Sequence, residues 1–302
     1  MTLRLVYRLY GGENLKGRPG FYSKRTSLAS FARAAVAADT ELDVLADGPL
    51  PDDLRTLASR FGRVHDLPGG PVGMRRSFLA ALGAPDRFGW DDDDIVYFCE
   101  DDYLHHPDAL VRLRDAAAAI PGADYFALYA STPAHPAVPP GVEYALPEDW
   151  APHPDARVDG VTWINVPSTT STFGARVGAL RADMGIIRQG MIPYKTRLLD
   201  HEMCLVYQGR FPYTAAEVFI GPEETRSRSG LALAAESLVL TPFRLAYQLR
   251  ALTRRRSPHP LYAPELNLAS HMESDLLAPG TDWAAIAAAA DAWSASLSDT
   301  TG

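Results

Sequence analysis

Short apolar runs alternate with amphipathic segments through the first 130 residues, and this alternation limits the possible folds more than any other feature. The apolar runs predict five strands, at Leu3–Tyr10, Leu42–Ala46, Arg63–Leu67, Ile95–Cys99 and Tyr125–Tyr129. The segments between them repeat apolar residues at helical intervals, at Ser23–Ala38, Pro51–Arg60, Val72–Leu82 and His106–Ile120. Strands that alternate with helices in this way predict an α/β layer sandwich with a largely parallel sheet.

The remainder of the chain is less regular. Residues 133–154 are rich in proline and predict an irregular connection. After them we expect a strand at Gly160–Val166, a helix at Gly174–Asp183 and a longer helix at Thr196–Gly209. The last 75 residues predict a mainly helical region around Leu231–Arg254 and Trp283–Leu297.

Composition excludes several classes of protein. Of 302 residues, 47% are hydrophobic and 22% are charged, which is typical of a globular protein. The formal charge of 29 − 37 = −8 argues against a nucleic-acid binder that covers phosphates with basic surface. Cys99 and Cys204 lie far apart without a CxxC pattern, which argues against disulfides and structural zinc. No apolar run approaches the ~18 residues of a transmembrane segment, so we expect a cytoplasmic protein.

The most informative segment follows the fourth predicted strand, where Glu100, Asp101 and Asp102 stand at its carboxyl end. Ligands of parallel sheets collect at this edge. In an extended chain Glu100 and Asp102 project to the same side, where two carboxylates can hold Mg²⁺ or Mn²⁺ and so help a diphosphate to leave. The alternative is a strand that ends in solvated acids. Asp91–Asp94 precede the strand, and we interpret them as a solvated loop.

Three patches together resemble the GT-A glycosyltransferases, and most closely the family 2 type of nucleotide-sugar-dependent enzymes. The first is Val44–Gly48 with Asp52 and Asp53, which resembles the family's strand that ends in Asp-Gly. The second is Gly73 with Arg75–Leu79, where Ser77 stands in place of the commoner Asn. The third is Tyr97–Asp102 with Pro107, which resembles the metal-binding Asp-x-Asp stretch with Glu100 in place of the first Asp.

The resemblance implies a GT-A (Rossmann-like) three-layer sandwich with a mixed, mostly parallel sheet and a C-terminal helical extension. Residues 1–130 would form the nucleotide-sugar-binding half, 131–225 the acceptor-binding half of the same domain, and 226–302 the extension. The enzyme would use Mn²⁺ or Mg²⁺ and move a sugar from a nucleoside diphosphate to a hydroxyl of a small-molecule, glycan or lipid-linked acceptor.

Residue by residue, the resemblance assigns the donor side to several positions. Asp47 would contact the nucleoside, and Arg76, Glu100 and Asp101 would lie along the donor. Asp102, with Glu100, would bind the metal, and His271 is the candidate for the late metal-binding histidine of many GT-A enzymes. Arg226 and Arg228, in a polar loop at 222–230, suit a diphosphate, because guanidinium groups pair well with phosphate oxygens. The alternative is that both arginines are simply exposed.

An inverting transfer also needs a base that deprotonates the acceptor hydroxyl. In the resembling family a short acidic motif supplies it, and Asp200 or Glu202 matches that motif, with Asp200 the preferred candidate. The alternative is that Asp200 caps the helix and Glu202 adds a favourable charge near its start. We expect Trp163 to stack on the acceptor and Ser168 and Thr169 to bind its oxygens. A core tryptophan followed by an ordinary turn is the alternative.

Two further questions stay open from the residues. The apolar helix at 238–252, which ends in Arg254–Arg256, either packs on the domain or lies on an anionic membrane. The Gly11–Arg18 loop after the first strand also suits a sugar nucleotidyltransferase, and a non-catalytic sugar-nucleotide-binding protein is a third possibility.

Overall fold

The computed structural model describes residues 1–13, 17–131, 135, 136, 138, 146–192, 199–222 and 231–297, with residues 231–236 described for their backbone alone. Its strands are β1 (Leu3–Tyr10), β2 (Leu42–Asp47), β3 (Gly62–Asp66), β4 (Ile95–Glu100), β5 (Tyr103–His105), β6 (Tyr125–Phe126), β7 (Ala156–Val158), β8 (Val161–Asn165), β9 (Phe173–Arg176), β10 (Leu261–Pro264) and β11 (Ala269–His271).

Nine of these strands form one sheet in the order β3-β2-β1-β4-β9-β6-β10-β8-β7. The four strands from β3 to β4 are parallel to one another. Strand β9 is antiparallel to both of its neighbours, β4 and β6. Beyond it, β10 is parallel to β6 and antiparallel to β8. The second sheet holds only β5 and β11 among the described residues, and it is antiparallel.

Helices cover both faces of the large sheet. They are α1 (Lys24–Ala37), α2 (Asp52–Phe61), α3 (Met74–Leu82), α4 (Ala84–Phe88), α5 (Ala109–Ala119), α6 (Val177–Gly190), α7 (Asp200–Tyr207), α8 (Ala215–Ile220), α9 (Leu231–Arg254) and α10 (Trp283–Ser296). One apolar core lies between the sheet and α1, α2, α5 and α10. The other lies between the sheet and the remaining helices. Successive residues of β1 enter opposite cores, Leu5 the first and Val6 the second, as strand geometry requires. The predicted three-layer α/β sandwich with a mixed sheet is confirmed.

The predicted helix at Gly174–Asp183 is wrong in its first turn. Phe173–Arg176 forms β9, and the helix α6 starts at Val177. Gly174 lies in the middle of the sheet, where an added Cβ would meet side-chain carbons of Leu113 and Phe126 at 3.4 Å. Close packing between β4 and β6 therefore selects the strand over the helix that the alanine-rich sequence favours.

The predicted helical C-terminal region is confirmed, and it also contains two strands. Helices α9 and α10 occupy the predicted positions, but the chain between them adds β10 to the large sheet between β6 and β8. It also adds β11, which pairs with β5. The predicted helix at Thr196–Gly209 is observed as α7, which starts at Asp200, and residues 193–198 lie outside the described residues.

The acidic run before β4 is only partly a solvated loop. Residues 91–93 are exposed, whereas Asp94 is buried. Its carboxylate accepts hydrogen bonds from Thr2 N at 2.7 Å and from Arg4 Nε at 3.1 Å. Asp94 therefore anchors the start of β1 beside the start of β4, and its assignment to solvent is wrong. Cys99 and Cys204 are both buried thiols. Within the described residues, no helix combines the length and the apolar character needed to cross a bilayer.

Candidate active site

A group of two carboxylates and one imidazole lies where β4 reaches the carboxyl edge of the sheet. After Glu100 the chain turns through Asp101 and Asp102 into β5. Strand β11 pairs with β5 so that His271 lies opposite Tyr103. The pairing places His271, from the last quarter of the chain, beside Asp102.

The ligand atoms of this group lie close together. His271 Nε2 is 3.1 Å from Asp102 Oδ2 and 3.2 Å from Glu273 Oε1, and one ligand atom of each residue lies within 4.8 Å of the others. The ring of Tyr103 stacks on His271 with centroids 4.7 Å apart. Two carboxylates and one imidazole form a mixed oxygen–nitrogen set, which suits Mn²⁺ better than Mg²⁺, since Mg²⁺ prefers oxygen.

This group includes two predicted metal ligands, Asp102 and His271, and one residue that the sequence analysis missed. Glu273 follows His271 by two positions, a spacing that puts two side chains on one side when a segment is extended, although β11 itself ends at His271. That spacing was the available signal. Without the knowledge that β11 pairs with β5, nothing in the sequence connected it to Asp102.

A side-chain cation already contacts Asp102. The guanidinium of Arg18 donates to Asp102 Oδ2 at 3.0 Å and to the backbone carbonyl of Met272 at 2.8 Å, and it lies over the ring of Tyr22. Burial acts to raise the pKa of Asp102, but the hydrogen bond and charge of His271 and the charge of Arg18 outweigh it and lower that pKa well below its ordinary value. Asp102 is therefore held as a carboxylate.

Glu100 does not join this group, although it was expected to share the metal with Asp102. Arg8, its register partner on β1, forms an ion pair with its carboxylate. Ser171 Oγ lies 2.5 Å from the other carboxylate oxygen. Because β4 ends at Glu100, the alternation of side chains does not continue to Asp102. The charge of the Glu100 carboxylate is instead paired with the buried Arg8. The metal assignment of Glu100 is corrected on this ground.

The carboxylate of Asp101 contacts the end of β1 and the start of α1. Its Oδ2 accepts from Tyr10 N at 2.8 Å and lies 2.9 Å from Lys24 Nζ. Burial raises the pKa of Asp101, and the charge of Lys24 opposes this rise. The carboxyl therefore joins the end of β1 to the start of α1, and its contact with a donor stays a prediction.

Asp47 organises the entry to α3. The buried carboxylate accepts from Val72 N at 2.5 Å and from Gly73 N at 3.1 Å. Gly73 adopts a φ of 84° directly before the helix, a conformation that favours glycine. Both donors belong to the loop that precedes α3, so Asp47 joins the end of β2 to the start of this helix. Arg76 is exposed on the first turn of α3.

A hydroxyl-rich loop, residues 167–172, lies between Glu100 and α7 and makes hydrogen bonds to both. Ser168 Oγ lies 2.9 Å from His201 Nδ1, Tyr103 donates to Thr170 Oγ1 at 2.9 Å, and Ser171 contacts Glu100. Ser168 and Thr169 are buried, and Thr169 Oγ1 lies 3.4 Å from a backbone carbonyl. In this arrangement the two hydroxyls that were assigned to the acceptor serve internal contacts.

Trp163 is fully buried and lies edge-on to Phe126 at 6.0 Å between centroids. The prediction that it stacks on the acceptor is wrong, because no face of the indole is open. Its neighbours in the sheet enclose the ring, as the alternative of a core tryptophan requires.

The two candidate bases lie in the first turn of α7. Asp200 is the first helical residue and is half-buried, whereas Glu202 is buried. Leu199 is the N-cap and makes no side-chain capping bond, so the alternative of Asp200 as the N-cap is wrong. Arg226 and Arg228, the predicted diphosphate residues, lie outside the described residues.

No protein-family model matches the sequence, and no curated protein is significantly similar to it. Solved structures give partial similarity. Residues 1–349 of TarS from S. aureus match 68% of this chain and 56% of that one, with 15% identity and a TM-score of 0.41.

Glucosyl-3-phosphoglycerate synthase from Mycobacterium tuberculosis, in complex with Mn²⁺, UDP-glucose and phosphoglyceric acid, matches 41% of this chain and 42% of that one, with 22% identity and a TM-score of 0.30. A cytidylyltransferase from Leptospira borgpetersenii matches 44% and 56%, with 15% identity and a TM-score of 0.29. The chain thus spans about half or less of the proteins it matches, and similarity at this level establishes neither its family nor its activity.

Proposed function

We propose that this protein is a metal-dependent glycosyltransferase that moves a sugar from a nucleoside diphosphate to an acceptor hydroxyl. The observation that carries the proposal is the group of Asp102, His271 and Glu273 at the carboxyl edge of the parallel strands. Ligands of open α/β sheets collect at this edge. The GT-A resemblance of the sequence leads to the same class of reaction.

The donor set fits the expected metal. Asp102, His271 and Glu273 would hold Mn²⁺ or Mg²⁺, and the ion, when bound, supplies the positive charge that neutralises a leaving diphosphate. Asp102 is already ionised, since Arg18 and His271 lower its pKa. The buried ring of Tyr103 fixes the plane of the imidazole by stacking on it.

If a metal takes the place of Arg18 at Asp102, the guanidinium of Arg18 is free to contact the donor. The buried Nε of Arg18 has no hydrogen-bond acceptor among the described residues. A guanidinium in this position offers N–H groups in the fork geometry that matches phosphate oxygens. Arg18 therefore joins Asp47 among the residues that we assign to donor binding.

The acceptor side would be formed at α7, with Asp200 as the base and Glu202 as its competitor. The half-buried Asp200 keeps some access to solvent, whereas the carboxylate of Glu202 is buried. A base must reach the acceptor hydroxyl within hydrogen-bond distance. The partial exposure of Asp200 makes it the preferred base. With a base at this position, the proposed reaction is an inverting displacement at the anomeric carbon.

The decisive experiment supplies UDP-, GDP- and dTDP-sugars with Mn²⁺ and identifies the phosphorus product. Release of the nucleoside diphosphate, with water or an added small-molecule, glycan or lipid-linked acceptor, is expected. Asp102→Asn should abolish it, while Asp93→Asn, an exposed substitution before β4, should not. Pyrophosphate as the product would identify a nucleotidyltransferase, and binding without turnover would identify a non-catalytic protein.

A further inference from the structure

Helix α9 is apolar on its outward face as well as its buried one. Leu238, Leu245, Leu249 and Leu252 follow one another at helical intervals and are 41–78% exposed. At the neighbouring end of α8, Phe219 and Ile220 are exposed in the same way. We name these six side chains the α9 face. Contiguous exposed apolar patches, unlike single exposed side chains, mark binding surfaces.

The packing of the helix does not need this face. Tyr247 and Ala251, on the opposite side of α9, are fully buried in the second core. Arg244 is also buried and donates to the carbonyl of Val218 at 3.2 Å, which fixes α9 to α8. The helix therefore packs on the domain through this side. The outward leucines do not take part in that packing.

Two exposed basic residues accompany the α9 face in a chain whose formal charge is −8. Of the five arginines from Ser237 to Pro264, Arg244 is buried, and Arg254 and Arg255 form ion pairs with Asp183 and Asp149. Arg250 directly follows Leu249, Arg256 lies four positions after Leu252, and both are exposed. Apolar side chains with basic neighbours are the pattern of a helix that lies in the plane of an anionic bilayer.

We propose that the α9 face binds the surface of an anionic membrane, with the leucines in the outer acyl region and Arg250 and Arg256 among the phosphate headgroups. Helix α9 packs on α7, whose first turn carries Asp200 and Glu202. Membrane binding would therefore bring the acceptor side close to the headgroups. The membrane contact does not depend on the proposed function. The further idea that the acceptor is lipid-linked does rest on the proposed function.

The test is flotation of the whole protein with vesicles of phosphatidylcholine alone or mixed with phosphatidylglycerol. We expect binding to the anionic vesicles, little binding to the neutral ones, and release as salt is raised from low to high concentration. The double variant Leu249→Glu/Leu252→Glu should bind at least tenfold more weakly. Arg250→Glu/Arg256→Glu should lose binding by a similar factor, chiefly at low salt.

The matched control is Leu266→Glu, because Leu266 is 67% exposed between β10 and β11, outside the α9 face. It should bind vesicles like the unchanged protein. Failure of the unchanged protein to bind anionic vesicles would overturn the proposal without any variant. A dimer in light scattering that Leu249→Glu/Leu252→Glu dissociates, with no vesicle binding, would assign the face to a second copy instead. Activity on soluble acceptors tests the proposed function separately.

Discussion

The guanidinium of Arg18 lies 3.0 Å from Oδ2 of Asp102, the oxygen that also faces His271. One carboxylate oxygen thus receives a fixed cationic side chain at the point where a divalent ion would bind. If a metal binds Asp102 through Oδ2, as we propose, it competes with this contact. The affinity of the proposed site would then depend on the competition between the ion and Arg18 as well as on the ligands themselves.

This competition predicts that Arg18→Gln binds Mn²⁺ more tightly than the unchanged protein when no nucleotide is present. A gain on the order of tenfold corresponds to about 1.4 kcal/mol, the size of one charge-assisted hydrogen bond. Isothermal titration calorimetry with Mn²⁺ measures it. Arg60→Gln, an exposed change on α2, is the control. Weaker Mn²⁺ binding by Arg18→Gln would contradict the competition.

Removal of either C-terminal ligand should weaken metal binding even though both lie some 170 residues from Asp102. His271→Ala and Glu273→Gln are each expected to lower Mn²⁺ affinity by about tenfold or more, by analogy with the loss of a supporting group at a metal site. Electron paramagnetic resonance of free Mn²⁺ reports the affinity directly. Affinity that is unchanged in both variants would remove them from the metal site.

Asp47→Ala should lower the free energy of unfolding by about 1–3 kcal/mol, because Val72 N and Gly73 N lose their acceptor. Asp47→Asn keeps one acceptor oxygen and should lose less. If Asp47 also contacts the nucleoside, both variants raise KM for the donor more than KM for the acceptor. Urea unfolding and steady-state kinetics separate the two effects, with Asp93→Ala as the exposed control.

Asp200→Asn should lower kcat by about 10²–10⁴-fold with little change in donor affinity, since a base acts only in the chemical step. Asp200 Oδ1 accepts a hydrogen bond from His201 N at 3.1 Å, and asparagine keeps an oxygen for this bond, so Asp200→Asn tests the base and not the helix start. Glu202→Gln, the parallel variant, tests the competing carboxylate. Near-normal kcat in both would exclude the first turn of α7 as the source of the base.

The pH dependence of stability should report Asp94. Burial acts to raise its pKa, but Thr2 N and Arg4 outweigh burial and lower that pKa below its usual value. A lowered folded-state pKa stabilises the protein above the unfolded value of about 3.9, and this contribution is lost as the pH falls through the folded value. Asp94→Asn should therefore cost about 1–3 kcal/mol at pH 7 and progressively less below pH 4.

Urea unfolding at pH 7, 5 and 3 measures this difference. Asp93→Asn is the matched control, because Asp93 is the exposed neighbour in the same run. An equal loss for Asp94→Asn at all three pH values would show that the residue acts by packing and not by charge.

The first half of the fold could be predicted because each apolar run there is bounded by residues that end it. The four parallel strands from β3 to β4 follow the sequence to within one or two residues. Strand β9 could not be distinguished in this way, since its four residues continue directly into the alanine-containing helix α6. Short segments of this kind are assigned by their neighbours in the sheet.

The site shows the same division between local and distant information. Asp102 was predicted because it follows a buried strand, which is a local pattern. Glu273 and Arg18 depend on which distant segments meet at Asp102, and Trp163 depends on which strands cover it. These contacts join segments that are far apart in the chain, and no local pattern in the sequence indicates them.

The pairing of β11 with β5 has a consequence for the order of events during synthesis. Asp102 and His271 are separated by 169 positions, so a growing chain can build the parallel strands long before it contains the whole metal group. Because long-range contacts form late and slowly, the proposed metal group would be completed only after the parallel strands have formed. A chain cut short before Ser270 would still contain strands β1 to β4 but would lack two of the three proposed metal ligands.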